Sequence, residues 1–186
     1  WIIGEQIMTD NYYKDVSKIK KIKVIFSDVD GVLTDGGMYY DQNGNEWKKF
    51  NTSDSAGVIF LNLLNIPTCI MTGEDTEIVK RRAKKLKVNH LYLGVKDKLN
   101  VTLKLCEKLG IKMSEIAFIG DDINDMKLLK EVGYSACPNN SPNYIKEFVD
   151  FVSPVNGGDG AYRSFVEHLL KKHDKFEEVL ELYFKN

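Results

Sequence analysis

Residues Val24-Ile25-Phe26-Ser27-Asp28-Val29-Asp30-Gly31-Val32-Leu33-Thr34-Asp35 constrain this chain more than any other stretch. An apolar run rich in β-branched residues, the composition of a buried strand, ends in two carboxylates spaced i and i+2. Strand side chains alternate with period two, so Asp28 and Asp30 would point the same way if the strand continued through them. They stand instead at its carboxyl end, where open α/β sheets bind ligands. Two acids crowded there repel each other, and burial adds a further cost. A hard cation such as Mg2+, which prefers oxygen ligands, relieves both. The same residues also suit an ordinary polar turn, because Asp and Gly are common in turns. The rest of the chain decides between the two.

Strand-like and helix-like segments alternate along the sequence. The first strand is expected over about 23–29. Two short runs follow, Gly36-Gly37-Met38-Tyr39-Tyr40-Asp41 and Asn45-Glu46-Trp47-Lys48-Lys49-Phe50, joined through Gln42-Asn43-Gly44-Asn45. Asn-Gly between strand-like runs predicts a hairpin, because both residues of its tight turn need φ > 0. A turn centred on Asn43-Gly44 would pair Tyr40 with Trp47 and Met38 with Lys49. Such a hairpin lies outside the main sheet and is marginal alone, so its apolar groups call for a packing partner, a neighbouring subunit being the natural one. Thr52-Ser53-Asp54 reads as a helix N-cap region, followed by a helix over 56–65 with Val58, Leu61 and Leu64 on one face.

Pro67–Met71 predicts the next buried strand, ending at Thr72-Gly73, and a helix follows over 75–87. Residues 90–93 read as a short strand and 97–109 as a helix closed by Gly110. Ile116–Ile119 predicts a buried strand ending at Gly120-Asp121-Asp122, with a helix over 123–132. Residues 134–137 and 148–152 read as further short strands, Gly157-Gly158-Asp159-Gly160 as a loop, and 161–172 and 176–184 as closing helices. This alternation implies right-handed βαβ units and a Rossmann-like α/β fold with a parallel sheet covered on both faces.

The chain has 186 residues, enough for one α/β domain with a sizeable core. Its net charge of −1 provides no overall field for nucleic acid or a membrane surface. Cys69, Cys106 and Cys137 lie far apart in apolar contexts and read as core residues of a protein in a reducing, cytoplasmic compartment. No apolar run is long enough to span a bilayer. The sequence opens on Trp1, which reads as a processed, tagged or excised product, and Trp1-Ile2-Ile3 is too short for a signal core. Residues 1–20 read as an N-terminal extension of unassigned role, 21–173 as the main α/β domain, and 174–186 as a helical tail.

Four polar clusters meet at one sheet edge in that fold. Asp28 and Asp30 end the first strand. Thr72-Gly73 ends the second, where a hydroxyl and backbone N–H groups at a helix N-terminus suit a phosphate. Lys98 opens a helix and can neutralise phosphate charge. Gly120-Asp121-Asp122-Ile123-Asn124-Asp125 supplies carboxylates for Mg2+. Alone, Thr-Gly is an ordinary turn and Lys98 a solvated lysine. Three acids at one strand-to-helix corner are harder to explain without a cation, even though acids favour a helix N-terminus.

Asp-x-Asp-Gly-x-Leu-Thr-Asp, followed in order by Thr72-Gly73, Lys98 and Gly-Asp-Asp-x-Asn-Asp, resembles the four motifs of the haloacid dehalogenase phosphatase superfamily. The resemblance implies that Asp28 is a nucleophile that forms an aspartyl-phosphate, and that Asp30 is the general acid and base. It implies Mg2+ held by Asp28, the backbone carbonyl of Asp30, and Asp121, with Asp122 and Asp125 as direct or outer partners. Thr72 follows Asp30 by 42 residues and Lys98 follows Thr72 by 26, gaps too short for the cap domain many members carry. Capless members form tetramers in which neighbours cover each site, so a homotetramer is expected.

Within the superfamily, the runs Asp-Gly-Gly-Met-Tyr-Tyr-Asp and Lys-Phe-Asn-Thr-Ser-Asp-Ser-Ala-Gly and the Gly-Gly-x-Gly near the C-terminus resemble the sugar-acid phosphatases over roughly residues 22–170. Octulosonate 8-phosphatases usually have Arg after the Thr-Gly. Here Glu74 stands there, as in the KDN and N-acylneuraminate 9-phosphatases, and Lys85 matches them too. A nine-carbon sugar-acid phosphate is therefore the expected substrate, with 3-deoxy-octulosonate 8-phosphate as the alternative. On one helix Glu74 and Lys85 would lie about 16 Å apart, too far to share a sugar within one subunit. Lys85, more than Arg82, is thus expected to serve a neighbour's site, although both also suit a solvated basic helix face. Ser164 after Arg163 departs from the Glu often found there.

Two readings of other classes compete. A non-catalytic tetramerising domain associated with an acylneuraminate cytidylyltransferase is opposed by the intact Asp28, Asp30, Lys98 and Asp121. A phospho-accepting receiver domain has no need of Asp-x-Asp on its first strand and leaves the hairpin unexplained.

Overall fold

The structure, a computed structural model, describes residues 16–185. Most of the expected N-terminal extension lies outside them. Its described end forms a helical turn at 16–19 that buries Ile19 in the core. Six parallel strands then form one sheet: β1 (Val24–Ser27), β4 (Thr68–Met71), β5 (His90–Tyr92), β6 (Ile116–Ile119), β7 (Tyr134–Cys137) and β8 (Phe151–Val152). Their spatial order is β5-β4-β1-β6-β7-β8. The chain winds outward from β1 to β4 and β5, then crosses back to β6 and winds the other way. The order reverses between β1 and β6, and such a reversal opens a crevice at the carboxyl ends of the strands. Asp28 and Asp121 follow those two strands.

The strand sequences explain why both faces are covered. Along β1, Ile25 faces one cluster while Val24 and Phe26 face the other, and Ala117 and Ile119 oppose Ile116 and Phe118 on β6 in the same way. Helices α1 (Asp54–Leu63), α2 (Glu77–Leu86), α6 (Ala161–Lys172) and α7 (Phe176–Lys185) cover the first face, with Leu61, Val79, Phe165 and Val179 buried there. Helices α3 (Lys98–Leu109), α4 (Met126–Glu131) and α5 (Asn143–Lys146) cover the second with Leu105, Leu128 and Ile145. Each fully buried side chain of this size contributes about 1.5–3 kcal/mol. A one-residue slip of β1 would exchange its two faces, so packing fixes the register. The C-terminal helix is part of this packing, with Phe176 set edge-on against Phe60 of α1. No described helix is long and apolar enough to cross a membrane.

Three details differ from expectation. The hairpin strands β2 (Tyr39–Tyr40) and β3 (Glu46–Trp47) pair Tyr39 with Trp47 and Tyr40 with Glu46, one residue away from the expected register. The cause is Asp41. Its carboxylate accepts the N–H groups of Asn43 and Asn45, and its own N–H donates to Asn45 O. This closes a three-residue loop with only Gly44 at positive φ (80°). Second, Phe148–Val152 is not one strand: the chain first makes the single-turn α5 after Pro142, leaving only Phe151–Val152 on the sheet edge. Third, α2 begins at Glu77, so Thr72-Gly73 and Glu74 lie in the loop before it and not at a helix N-terminus or on a shared helix. The hairpin stands apart from the main sheet, with Tyr40 and Trp47 exposed.

Candidate active site

The crevice at the β1–β6 reversal is a cavity of about 370 Å³ lined by Asp28, Asp30, Thr72, Gly73, Glu74, Asp121 and Asp122, among others. Asp28 is held by its backbone, which donates to Ile119 O across the strand ends at 3.0 Å. The chain then turns sharply through Gly31, at φ 85°. A Cβ on Gly31 would lie 2.0 Å from Asp121 Oδ2, so only glycine lets the two strand ends approach this closely. The loop after β1 is fastened from the far end of the chain: Gly158 N–H donates to Val32 O, and Asn51 donates its amide to Gly158 O.

Behind the cavity wall sit Lys98 and Asp125. The Lys98 ammonium lies 2.7 Å from Asp28 Oδ1 and 2.6 Å from Asp125 Oδ1, with all three side chains almost fully buried. Burial works against this ammonium, but the two carboxylates more than offset it and hold its pKa above the usual value. Asp125 also accepts the Asp121 N–H on its other oxygen and so sets the backbone of the acidic corner. Oxygens of Asp28, Asp121 and Asp125 lie within 4.8 Å of one another. Asp122 turns away, accepting hydrogen bonds from the Tyr144 hydroxyl and the Ile123 N–H.

Two buried carboxylates and one half-buried one against a single ammonium leave uncompensated charge, and the protein shows it. Burial, then Asp125, pushes Asp28 well above the usual carboxylate range against the pull of Lys98. Burial, then Asp125 and Asp122, pushes Asp121 up to about 7. A convergent set of hard oxygen donors short of positive charge fits a divalent cation such as Mg2+. Such a cation binds the deprotonated carboxylates, so its binding should release protons and tighten as pH rises through about 7. Titration calorimetry near pH 6.5 in two buffers of different ionisation enthalpy tests this. Identical observed heats would contradict it.

The other expected residues fall in different places. Glu74 lines the catalytic cavity, but Lys85 does not. Lys85 helps to line a separate cavity of about 520 Å³ with Trp47, Phe50 and Arg81, between the hairpin and α2. Arg82 donates to Asn51 O and Ser55 Oγ and lies over the Phe50 ring, fastening the base of the hairpin. One residue in contact with the site has no signal in the sequence. Lys48, on the hairpin, places its ammonium 2.7 Å from Asp30 Oδ1 and 2.7 Å from Glu74 Oε2. A lysine beside Lys49 in a polar hairpin carries no mark of burial, and only the tertiary fold brings it to Asp30.

The geometry describes a metal-dependent hydrolase, and comparison with known proteins agrees. Residues 94–165 match the family model of haloacid dehalogenase-like hydrolases. The chain is 34% identical over 158 residues to the 3-deoxy-D-manno-octulosonate 8-phosphate phosphatase of Haemophilus influenzae, covering 85% of this chain and 88% of that one. The crystal structure of the corresponding Moraxella catarrhalis phosphatase, in complex with magnesium ion, phosphate ion and KDO, superposes with a TM-score of 0.87 at 35% identity, covering 95% of this chain and 99% of that one. The Yersinia pestis phosphatase of the same name gives 0.85 at 32% identity, covering 88% and 89%. The chain belongs to the haloacid dehalogenase-like hydrolases. It is a phosphomonoesterase, with Mg2+ as its cofactor. These relatives act on an octulosonate, so they favour the eight-carbon alternative over the nine-carbon reading drawn from Glu74 and Lys85.

Proposed function

We propose that this chain hydrolyses the phosphate monoester of a 3-deoxy-2-keto sugar acid, with 3-deoxy-octulosonate 8-phosphate as the leading substrate. The observation that carries the chemistry is the group of buried Asp28, Asp125 and Lys98 with half-buried Asp121 at the β1–β6 reversal, opening onto Asp30 and Thr72. Asp28, Asp121 and the backbone carbonyl of Asp30 are assigned to Mg2+, and Asp125 orients Lys98 and the Asp121 backbone. Bound there, Mg2+ would screen the repulsion between an anionic phosphate and a carboxylate nucleophile. Asp28 attacks phosphorus and becomes an aspartyl-phosphate. Asp30 gives its proton to the leaving alkoxide and then takes one from the water that cleaves the intermediate. Thr72 and Gly73 hold the phosphoryl group, and Lys98, paired with Asp28 behind the cavity wall, offsets its charge. The C-terminal helix belongs to the domain core on this reading, because Val179 is fully buried against it.

A nine-carbon substrate is the second reading, favoured by Glu74, whose carboxylate lines the cavity and would meet the sugar. A phosphate-release screen with Mg2+ separates the two. Octulosonate 8-phosphate should give a kcat/KM at least about tenfold above KDN and N-acylneuraminate 9-phosphates, a difference of about 1.4 kcal/mol in transition-state binding. The reverse order would install the nine-carbon reading. No release from either would remove both.

A further inference from the structure

Lys48 enters the catalytic centre from the hairpin, whereas the other groups there follow strands of the main sheet or open the helices behind them. Its side chain has 0% of its surface exposed, and its ammonium lies among three carboxylates: Asp30 and Glu74 at 2.7 Å each and Glu46 at 3.7 Å. On Asp30 it meets Oδ1. The Thr34 hydroxyl donates to that same oxygen at 3.3 Å. No described hydrogen bond or ion pair engages Asp30 Oδ2.

From this asymmetry we propose that Lys48 is a positioning residue for the proton-transfer carboxylate: by occupying Oδ1 of Asp30 it leaves Oδ2 as the oxygen that exchanges the proton with the substrate. The inference rests on the phosphatase reading above. An ammonium and a hydroxyl are both donors, and each needs a lone pair on the oxygen it meets. With those lone pairs engaged, Oδ2 is the oxygen left open to hand over a proton and to take one back. In the first step an Asp28 oxygen bonds to phosphorus and the P–O bond to the sugar breaks, its electron pair staying on the sugar oxygen. The Oδ2 proton moves to that oxygen and leaves Asp30 ionised. In the second step a water oxygen bonds to phosphorus, Oδ2 takes the water proton, and the bond from Asp28 to phosphorus breaks. Oδ2 is thereby returned to its starting state.

Fastening the hairpin does not account for this lysine. Arg82 over Phe50 and the Thr34–Phe50 bridge already hold the hairpin base. Burying an ammonium is costly unless its partners are well placed, and here they are the proton carrier and a residue facing the sugar. One cation therefore ties the group that meets the substrate to the group that delivers the proton.

The test compares leaving groups. Lys48→Met and Lys48→Arg are assayed with Mg2+ by rapid mixing, on the sugar-acid phosphate the wild type hydrolyses best and on p-nitrophenyl phosphate. A nitrophenolate departs without a proton, whereas a sugar alkoxide needs one. Lys48→Met should slow the first step on the sugar phosphate about 10- to 100-fold, the scale of a misplaced catalytic group. KM should change by less than about threefold. The first step on p-nitrophenyl phosphate should stay within about twofold of wild type, because it does not use the Asp30 proton. Lys48→Arg should restore most of the sugar-phosphate rate. Equal losses on both esters, or no loss on either, in a variant that melts and binds Mg2+ like wild type would overturn the proposal. If Lys48→Met does not fold, Lys48→Gln, which keeps a donor without the charge, is read in the same way. A wild type inactive on both esters would overturn the phosphatase reading and with it the proposed role of Lys48.

Discussion

Replacing Asp28 with Asn should lower turnover by at least about 10⁴-fold, the order seen when a nucleophile is removed from a hydrolase. The amide keeps the shape of the carboxylate but cannot form the aspartyl-phosphate. The fold should not suffer. Asp28 shares its pocket with the buried Asp125 and the half-buried Asp121, and burial and Asp125 already disfavour its charge. Removing that charge relieves repulsion on Asp125 and Asp121 while giving up one of the two ion pairs of Lys98. Without Mg2+ the variant should therefore melt no lower than wild type. Steady-state phosphate release with thermal unfolding checks both parts. Substantial Mg2+-dependent turnover by a folded Asp28→Asn protein would remove the assigned nucleophile.

Lys85→Ala should cost about 100-fold in kcat/KM, and mixing it with Asp28→Asn should restore activity. Lys85 does not line the catalytic cavity of its own chain, which Glu74 does. A sugar acid carries a carboxylate that calls for a cation, and no cap covers the crevice among the described residues. We infer that the chain works as a tetramer, with Lys85 reaching a neighbour's site and the exposed Tyr40 and Trp47 covered there. In hybrids, an Asp28 from the Lys85→Ala chain would meet a Lys85 from the Asp28→Asn chain. An equal, freely exchanging mixture would recover about a quarter of its sites. If Lys85 serves its own subunit, every site in the mixture carries one defect and nothing is regained. Full activity of a monomer at high dilution would sink the same premise.

The parts of the site legible in the sequence are those where one short run holds both the burial and the charge. Val24–Asp30 and Ile116–Asp125 each join an apolar strand to acids, and that conflict between burial and charge announces a ligand in either case. The helices between the strands made a parallel sheet legible, but not the order in which its strands stand. Lys48 was not legible, because its burial comes from Asp30, eighteen residues away, and from Glu74 on another loop. The hairpin register was misread for a related reason. Asn43-Gly44 suits a two-residue turn, but the Asp41 carboxylate gathers two N–H groups and makes the three-residue loop the better one. Local propensity gave way to a side-chain hydrogen bond two residues upstream. The expected helix N-terminus at Thr72-Gly73 failed because α2 starts only at Glu77.

The clasp on the loop after β1 bears on how the enzyme is made. Asn51 holds Gly158 across 107 residues of sequence, and Asp54 accepts the Arg163 N–H across 109. β1 itself needs β4 on one side and β6 on the other before it has neighbours. Contacts so distant along the chain form late, because loop closure must precede any gain from them. A growing polypeptide therefore carries its nucleophile well before Gly158 is made, but the loop that aims it stays unfastened until residues beyond Gly158 emerge. Catalytic competence arrives with the segment around Gly158 and not with the residue that performs the attack.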